Sequence, residues 1–136
     1  MIDFSQLKNM CASKKFSEGV IIIREGDTSP YCMYIILKGT VAVYKHYGQP
    51  DELLVATLVP GEFFGEMSLF LLQPRSATVI ALEQVIALEI NQLNAYEIIE
   101  NHSEISLFMI KTLCTRINEL NQKMKVRTRI QEGRTI

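Results

Sequence analysis

The residues best suited to hold an anion lie in Phe63-Phe64-Gly65-Glu66-Met67-Ser68-Leu69 and, after a short apolar run, in Pro74-Arg75-Ser76-Ala77-Thr78. Gly65 lacks a Cβ, so its backbone can take a positive φ and let a ligand come close. Met67 to Leu72 contains no Gly, Pro or Thr and reads as a short helix. The first N–H groups of that helix, on residues such as Met67, Ser68 and Leu69, have no partner within it and present partial positive charge. Arg75 is the one cation between Phe63 and Thr78, and its planar fork of donors suits two phosphate oxygens at once. Glu66 is acceptor-only when ionised, so beside an anion it must face a hydroxyl or a cation. One anion seat, one arginine and one hydroxyl acceptor describe a ribose that carries a single negative charge. A triphosphate would require a lysine-bearing glycine-rich loop and magnesium ligands, and this stretch has neither.

Short β-rich runs punctuated by turns must position these groups. Asp3 or Ser5 caps a short N-terminal helix carrying Phe4, Leu7, Met10 and Cys11. From Lys15 onward, strands are expected at Val20–Arg24, Tyr31–Leu37, Thr40–His46, Leu53–Val59, Ala77–Ala81 and Val85–Ile90. Glu25-Gly26-Asp27-Thr28-Ser29-Pro30 and Tyr47-Gly48-Gln49-Pro50-Asp51 carry turn chemistry, and Lys38-Gly39 makes a tight connection between two of the strands. Such spacing implies a mainly β fold with flanking helices, an antiparallel sandwich or jelly roll rather than a parallel α/β sheet.

Two helices follow. Asn91 caps one that carries Leu93, Tyr96, Ile98 and Ile99. Ser103 opens a longer one, with Glu104 well placed for the helix dipole. Ile110, Leu113, Ile117, Leu120 and Met124 recur along it at spacings of three and four, a seam of coiled-coil type. That seam either joins two chains or packs back on its own barrel. Lys123, Lys125, Arg127 and Arg129 read as a solvated helix end.

Composition narrows the classes. The 136 residues suit one domain spanning 1–136, with a β region at about 16–90 and C-terminal helices at about 91–127. A formal net charge of -1 gives no general pull toward nucleic acid or an anionic membrane. No apolar run reaches spanning length, and Met1 to Lys15 lacks the pattern of a signal peptide. Cys11, Cys32 and Cys114 are scattered and odd in number, which suits free thiols in a reducing cytoplasm. They lack metal-site spacing, and His46 and His102 alone cannot build the histidine cluster of a cupin-type enzyme. No spacing supports a Ser–His–Asp or Cys–His arrangement. A catalytic role is therefore not expected, and neither is a metal or a cofactor.

Gly65-Glu66-x-Ser68-Leu69 with Arg75-Ser76-Ala77-Thr78 resembles the phosphate-binding cassette of the cyclic nucleotide-binding domain family, which includes the catabolite activator protein and protein kinase A regulatory subunits. The resemblance extends through Phe16-x-x-Gly19, Ile22-x-x-x-Gly26-Asp27 and Tyr34-Ile35-Ile36-x-x-Gly39-x-Val41-x-Val43, and covers Cys11 to about Met124. It implies a double-stranded β-helix (jelly roll) with a cassette helix and C-terminal helices. It also implies that Glu66 takes the ribose 2′-hydroxyl and Arg75 the exocyclic phosphate oxygens. Ser68 and Ser76 would add main-chain N–H groups, with Ala77 completing the binding stretch. By position, Val43, Val55 and Leu58 would line the apolar wall behind sugar and base, although each also reads as ordinary core. Arg116 falls where the family's helix offers an arginine to the cassette glutamate, and Asn121 where a serine meets the base. Leu120 departs from the pattern, standing in place of a threonine that contacts adenine.

The function so implied is a cytoplasmic, non-enzymatic sensor of cyclic AMP in preference to cyclic GMP, acting in signal transduction. Its expected partners are the nucleotide, a second copy through the C-terminal helix and a downstream protein. Nucleic acid and membrane are not expected, since no helix-turn-helix pattern follows the last helix. The alternative is a relative of the same fold that has lost its nucleotide and serves as a protein-interaction module.

Overall fold

In the computed structural model, which describes residues 2–131 with side chains through residue 125, eight strands nest in antiparallel pairs. They are β1 (Ala12–Phe16), β2 (Ile21–Ile23), β3 (Met33–Lys38), β4 (Val41–Lys45), β5 (Leu53–Leu58), β6 (Phe63–Phe64), β7 (Thr78–Ala81) and β8 (Val85–Ile90). First pairs with last, second with seventh, third with sixth and fourth with fifth. This nesting is the signature of a jelly roll. The pairs lie in two four-stranded sheets, ordered β1-β8-β3-β6 and β2-β7-β4-β5.

The core forms between those sheets because strands of both turn apolar residues toward it. Tyr34, Ile36, Phe64, Val85 and Ala87 come from the first sheet, and Val41, Val79 and Ala81 from the second. Phe16 meets Tyr34 edge to face and Tyr34 stacks on Phe64, with ring centroids 5.8 and 5.3 Å apart, which ties β1, β3 and β6 together just before Gly65. Burial raises the pKa of the Tyr34 hydroxyl, and the neighbouring Cys32 thiol adds to the shift; the hydroxyl stays protonated and donates to Glu89 Oε2 at 3.1 Å.

Several sequence expectations meet a different outcome. The tight connection at Lys38-Gly39 is present, but it joins strands of different sheets, and the chain turns a corner between β3 and β4. Gly39 has φ +89 there, and a Cβ would come within 2.3 Å of the Gln84 carbonyl oxygen. Sterics therefore demand glycine at the corner. Strand structure also begins earlier than Lys15, at Ala12; β1 is an edge strand whose residues are mostly exposed, so no alternation marks it. The N-terminal helix is a 3-10 turn, Ser5–Asn9, which buries Leu7, while Phe4 and Cys11 beside it are also buried. Burial pushes the Cys11 thiol up to about 11, which keeps it a neutral apolar filler.

Three α-helices complete the described chain: α1 (Glu66–Leu71), α2 (Gln92–Asn101) and α3 (Ser103–Gln131). Asn91 and Asn94 cap the start of α2 reciprocally, each side-chain oxygen accepting the other's backbone N–H at 2.9 and 3.1 Å. The Asn94 amide also donates to the Met10 carbonyl. On α2 the buried residues are Ala95 and Ile98, whereas Leu93, Tyr96 and Ile99 are exposed. By their contacts the described residues form two units, one ending at Glu97 and one beginning at Ile98. The basic residues Arg127 and Arg129 have side chains outside the described residues. No helix among the described residues is long and apolar enough to cross a membrane.

Candidate functional site

Gly65 sits where β6 ends and α1 begins, in the left-handed conformation with φ 85 and ψ 5. A Cβ at this position would lie 2.9 Å from Arg75 Nη1 and 3.0 Å from the Cys32 carbonyl oxygen. Glycine is needed there for conformation and for space. Glu66 opens α1 and is half-buried, Ser68 and Leu69 are buried, and Met67 is exposed. The helix ends at Leu72, itself left-handed with φ 53, whose N–H donates to the Ser68 carbonyl at 3.0 Å. The expected helix over Met67–Leu72 is thus present, shifted by one residue.

Arg75 is only 4% exposed. Nη1 donates to the Cys32 carbonyl at 2.6 Å and to the Gly65 carbonyl at 3.2 Å. Nη2 donates to the Pro30 carbonyl at 2.7 Å and lies 3.4 Å from Cys32 Sγ. Its backbone is held as well, since Arg75 N–H donates to the Asp27 carbonyl and Gly26 N–H to the Arg75 carbonyl, at 2.8 and 2.9 Å. Thr78 extends this pairing by accepting the Glu25 N–H on its hydroxyl at 3.0 Å. Among the described residues, the carbonyls of Pro30, Cys32 and Gly65 and the Cys32 thiol, all neutral, take up its guanidinium. A buried cation held by neutral groups is a costly arrangement that an incoming anion would relieve.

The fold brings a second cation to the same stretch. Lys45 Nζ, at the end of β4, donates to the Ser76 carbonyl and lies 3.1 Å from Glu25 Oε2. Glu25 Oε1 accepts the His46 N–H at 2.9 Å. That backbone bond first, and the Lys45 ammonium second, hold the Glu25 carboxyl below its usual range. Neither Glu25 nor Lys45 was marked by motif or spacing. Lys45 would be one more strand-end lysine without the register that places it beside Ser76.

The proposed apolar wall divides. Val43 and Leu58 are partly buried and pack against the core cluster. Val55 is 50% exposed and is the extra residue of a bulge: Val43 pairs with Ala56 and Tyr44 with Leu54, which leaves Val55 unpaired. A bulge bends the strand and re-aims the side chain it carries. Ser76 is exposed and Ala77 half-buried. Arg116 and Asn121 lie on α3. Among the described residues no group of His, Cys, Asp and Glu is placed to hold a metal ion. Cys11, Cys32 and Cys114 are free thiols.

The family model described as "Cyclic nucleotide-binding domain" matches residues 13–102. The chain is 36% identical over 92 residues to the cAMP-dependent protein kinase type II regulatory subunit of Drosophila melanogaster, covering 67% of this chain and 24% of that protein. It is 32% identical over 106 residues to the cGMP-dependent 3',5'-cGMP phosphodiesterase A of Dictyostelium discoideum, covering 78% of this chain and 11% of that protein. The chain therefore spans a quarter or less of the length of these relatives. Among solved structures, the Thermus thermophilus catabolite activator protein superposes with a TM-score of 0.78 at 24% identity, covering 87% of this chain and 55% of that one. At that identity the likeness is one of fold.

Proposed function

Because the chain belongs to the cyclic nucleotide-binding domain family, we propose that it senses a cyclic mononucleotide, cyclic AMP in preference to cyclic GMP, and relays occupancy without turning the ligand over. The observation that carries this reading is the buried charge of Arg75, held by the neutral Pro30, Cys32 and Gly65 carbonyls among the described residues. A cyclic phosphate supplies a single negative charge to meet it. Glu66, at the start of α1, takes the ribose 2′-hydroxyl, and the N–H groups of Met67, Ser68 and Ser76 complete the phosphate seat, with Ala77 next to them; the Leu69 N–H, expected among them, is already taken by the Gly65 carbonyl at 3.4 Å. Val43, Val55 and Leu58 form the apolar wall. Relatives named for cyclic AMP and for cyclic GMP both occur, so the base preference is tested directly. Calorimetry against cyclic AMP, cyclic GMP, AMP and cyclic dinucleotides should show binding of cyclic mononucleotides, tightest for cyclic AMP. Absence of heat and of any melting shift at millimolar cyclic AMP and cyclic GMP would leave the interaction-module reading in its place.

The reading extends to a second copy of the chain. Along α3, Ile110, Ile117, Leu120 and Met124 are each more than half exposed, and Leu113 is half-buried. An exposed apolar stripe at spacings of three and four is what a partner helix covers. Light scattering should report a dimer, and Ile117→Asp combined with Leu120→Asp should give a folded monomer. A wild-type monomer at high micromolar concentration would defeat the dimer and leave α3 to act within one chain.

A further inference from the structure

Backbone pairing along β7, and the bend at Ser76 and Ala77 just before it, set what the amides beside Arg75 can meet. In an extended strand the N–H and C=O of one residue face the same neighbour, and successive residues alternate. Ala81 bonds Val20 and Gly19 through its backbone, and Arg75 bonds Asp27 and Gly26, so the odd-numbered residues face the β2 side. The even-numbered residues face β4, where Ile80 pairs with Ala42 and Thr78 with Tyr44. The next pair this register would make, Ser76 with His46, falls beyond the strand, where Ser76 and Ala77 form a bend.

That pair does not form. His46 turns to φ 54, its N–H donates to Glu25 Oε1 at 2.9 Å, and its carbonyl accepts the Gln49 N–H at 3.1 Å. Both backbone groups that would have met Ser76 are engaged elsewhere. The Ser76 carbonyl, which the His46 N–H would have reached, receives Lys45 Nζ instead. The ammonium is in turn held by Glu25 Oε2. The Ser76 N–H has no backbone partner among the described residues.

We infer that Glu25 and Lys45 form a clasp that stops the β4–β7 ladder one pair short, so that the Ser76 N–H remains available to the ligand's phosphate. Both are positioning residues that act through His46 and Ser76. The inference rests on the proposed nucleotide-binding function and adds to it two residues outside the cassette. A competing account makes Lys45 simply a nearby positive charge, and the two accounts predict opposite signs for Glu25. Removing a carboxylate near an anion seat strengthens anion binding if only charge matters. It weakens binding if the carboxylate keeps His46 away from Ser76.

The test uses the full chain with cyclic AMP as the probe. Glu25→Ala should bind about tenfold more weakly, the scale of one hydrogen bond to a charged group. Lys45→Met should weaken binding similarly, and Lys45→Arg should restore most of it. Thermal melting of each ligand-free variant checks that the fold is intact. Amide exchange gives a readout that needs no ligand: the Ser76 N–H should exchange fast in the free wild type and become protected in Glu25→Ala as the ladder extends. Binding by Glu25→Ala as tight as wild type or tighter would overturn the clasp alone, as would a Ser76 amide already protected in the wild type. Failure of the wild type to bind either cyclic AMP or cyclic GMP would overturn the nucleotide reading, and the anion role of Ser76 with it.

Discussion

Arg75→Leu is expected to abolish the response to cyclic AMP and to lower the stability of the ligand-free protein, two effects with separate causes. On the ligand side, a buried phosphate loses its charge-assisted partner, which costs about 2–5 kcal/mol, or roughly 30-fold to several thousand-fold in affinity. On the protein side, the Pro30, Cys32 and Gly65 carbonyls lose the donor that joins them. A buried acceptor left without a partner costs about 1–3 kcal/mol. Removal of a buried charge offsets part of that cost. A net loss of about 2 kcal/mol would lower the melting temperature by roughly 5–10 °C for a chain of this size. Arg75→Lys keeps the charge and loses the fork, so it should retain some binding while the Pro30–Cys32 segment is still loosened. Wild type should gain thermal stability with cyclic AMP by mass action on the native state, and Arg75→Leu should not. An Arg75→Leu protein that melts like wild type and still shifts with cyclic AMP would remove the arginine from both roles.

The second large effect is expected at Glu66 and is read with two ligands. A carboxylate aligned on the ribose 2′-hydroxyl makes a hydrogen bond to a charged acceptor, worth about 1.5–3 kcal/mol. Wild type should therefore bind 2′-deoxy cyclic AMP about tenfold more weakly than cyclic AMP, or weaker still. Glu66→Ala should bind cyclic AMP weakly and lose little more when the hydroxyl is removed. The cycle of two proteins and two ligands isolates that contact from general damage, because loosening of the site weakens both ligands alike. A deoxy penalty as large in Glu66→Ala as in wild type would show that Glu66 does not read the sugar, even if cyclic AMP binds.

Much of the molecule was legible in the chain because its signals are local. Short runs of β-branched and aromatic residues, bounded by Gly, Pro and Asp, placed six of the eight strands within one or two residues at most of their ends. Asn91 announced α2, Ser103 announced α3, and the spacing of Gly65, Glu66, Ser68 and Arg75 pointed to the family. These features depend on backbone propensity, capping and residue type within a few positions, and single residues carry that information.

Tertiary structure decided the rest, and in each case the partners are far apart in the chain. β1 and the two-residue β6 have too little pattern of their own and exist through their pairing with β8 and β3. The Lys38-Gly39 turn reads locally as a tight connection, and only the packing of two sheets makes it a corner. Residue type supplied Arg75 with a fork suited to phosphate, yet two of the three carbonyls that hold it come from residues 43 and 45 positions away. Lys45 reaches Ser76 across 31 positions because β4 and β7 align in one register and the ladder stops at Tyr44 and Thr78. Strand register is a collective property of both strands and their buried faces, so no stretch read alone contains it.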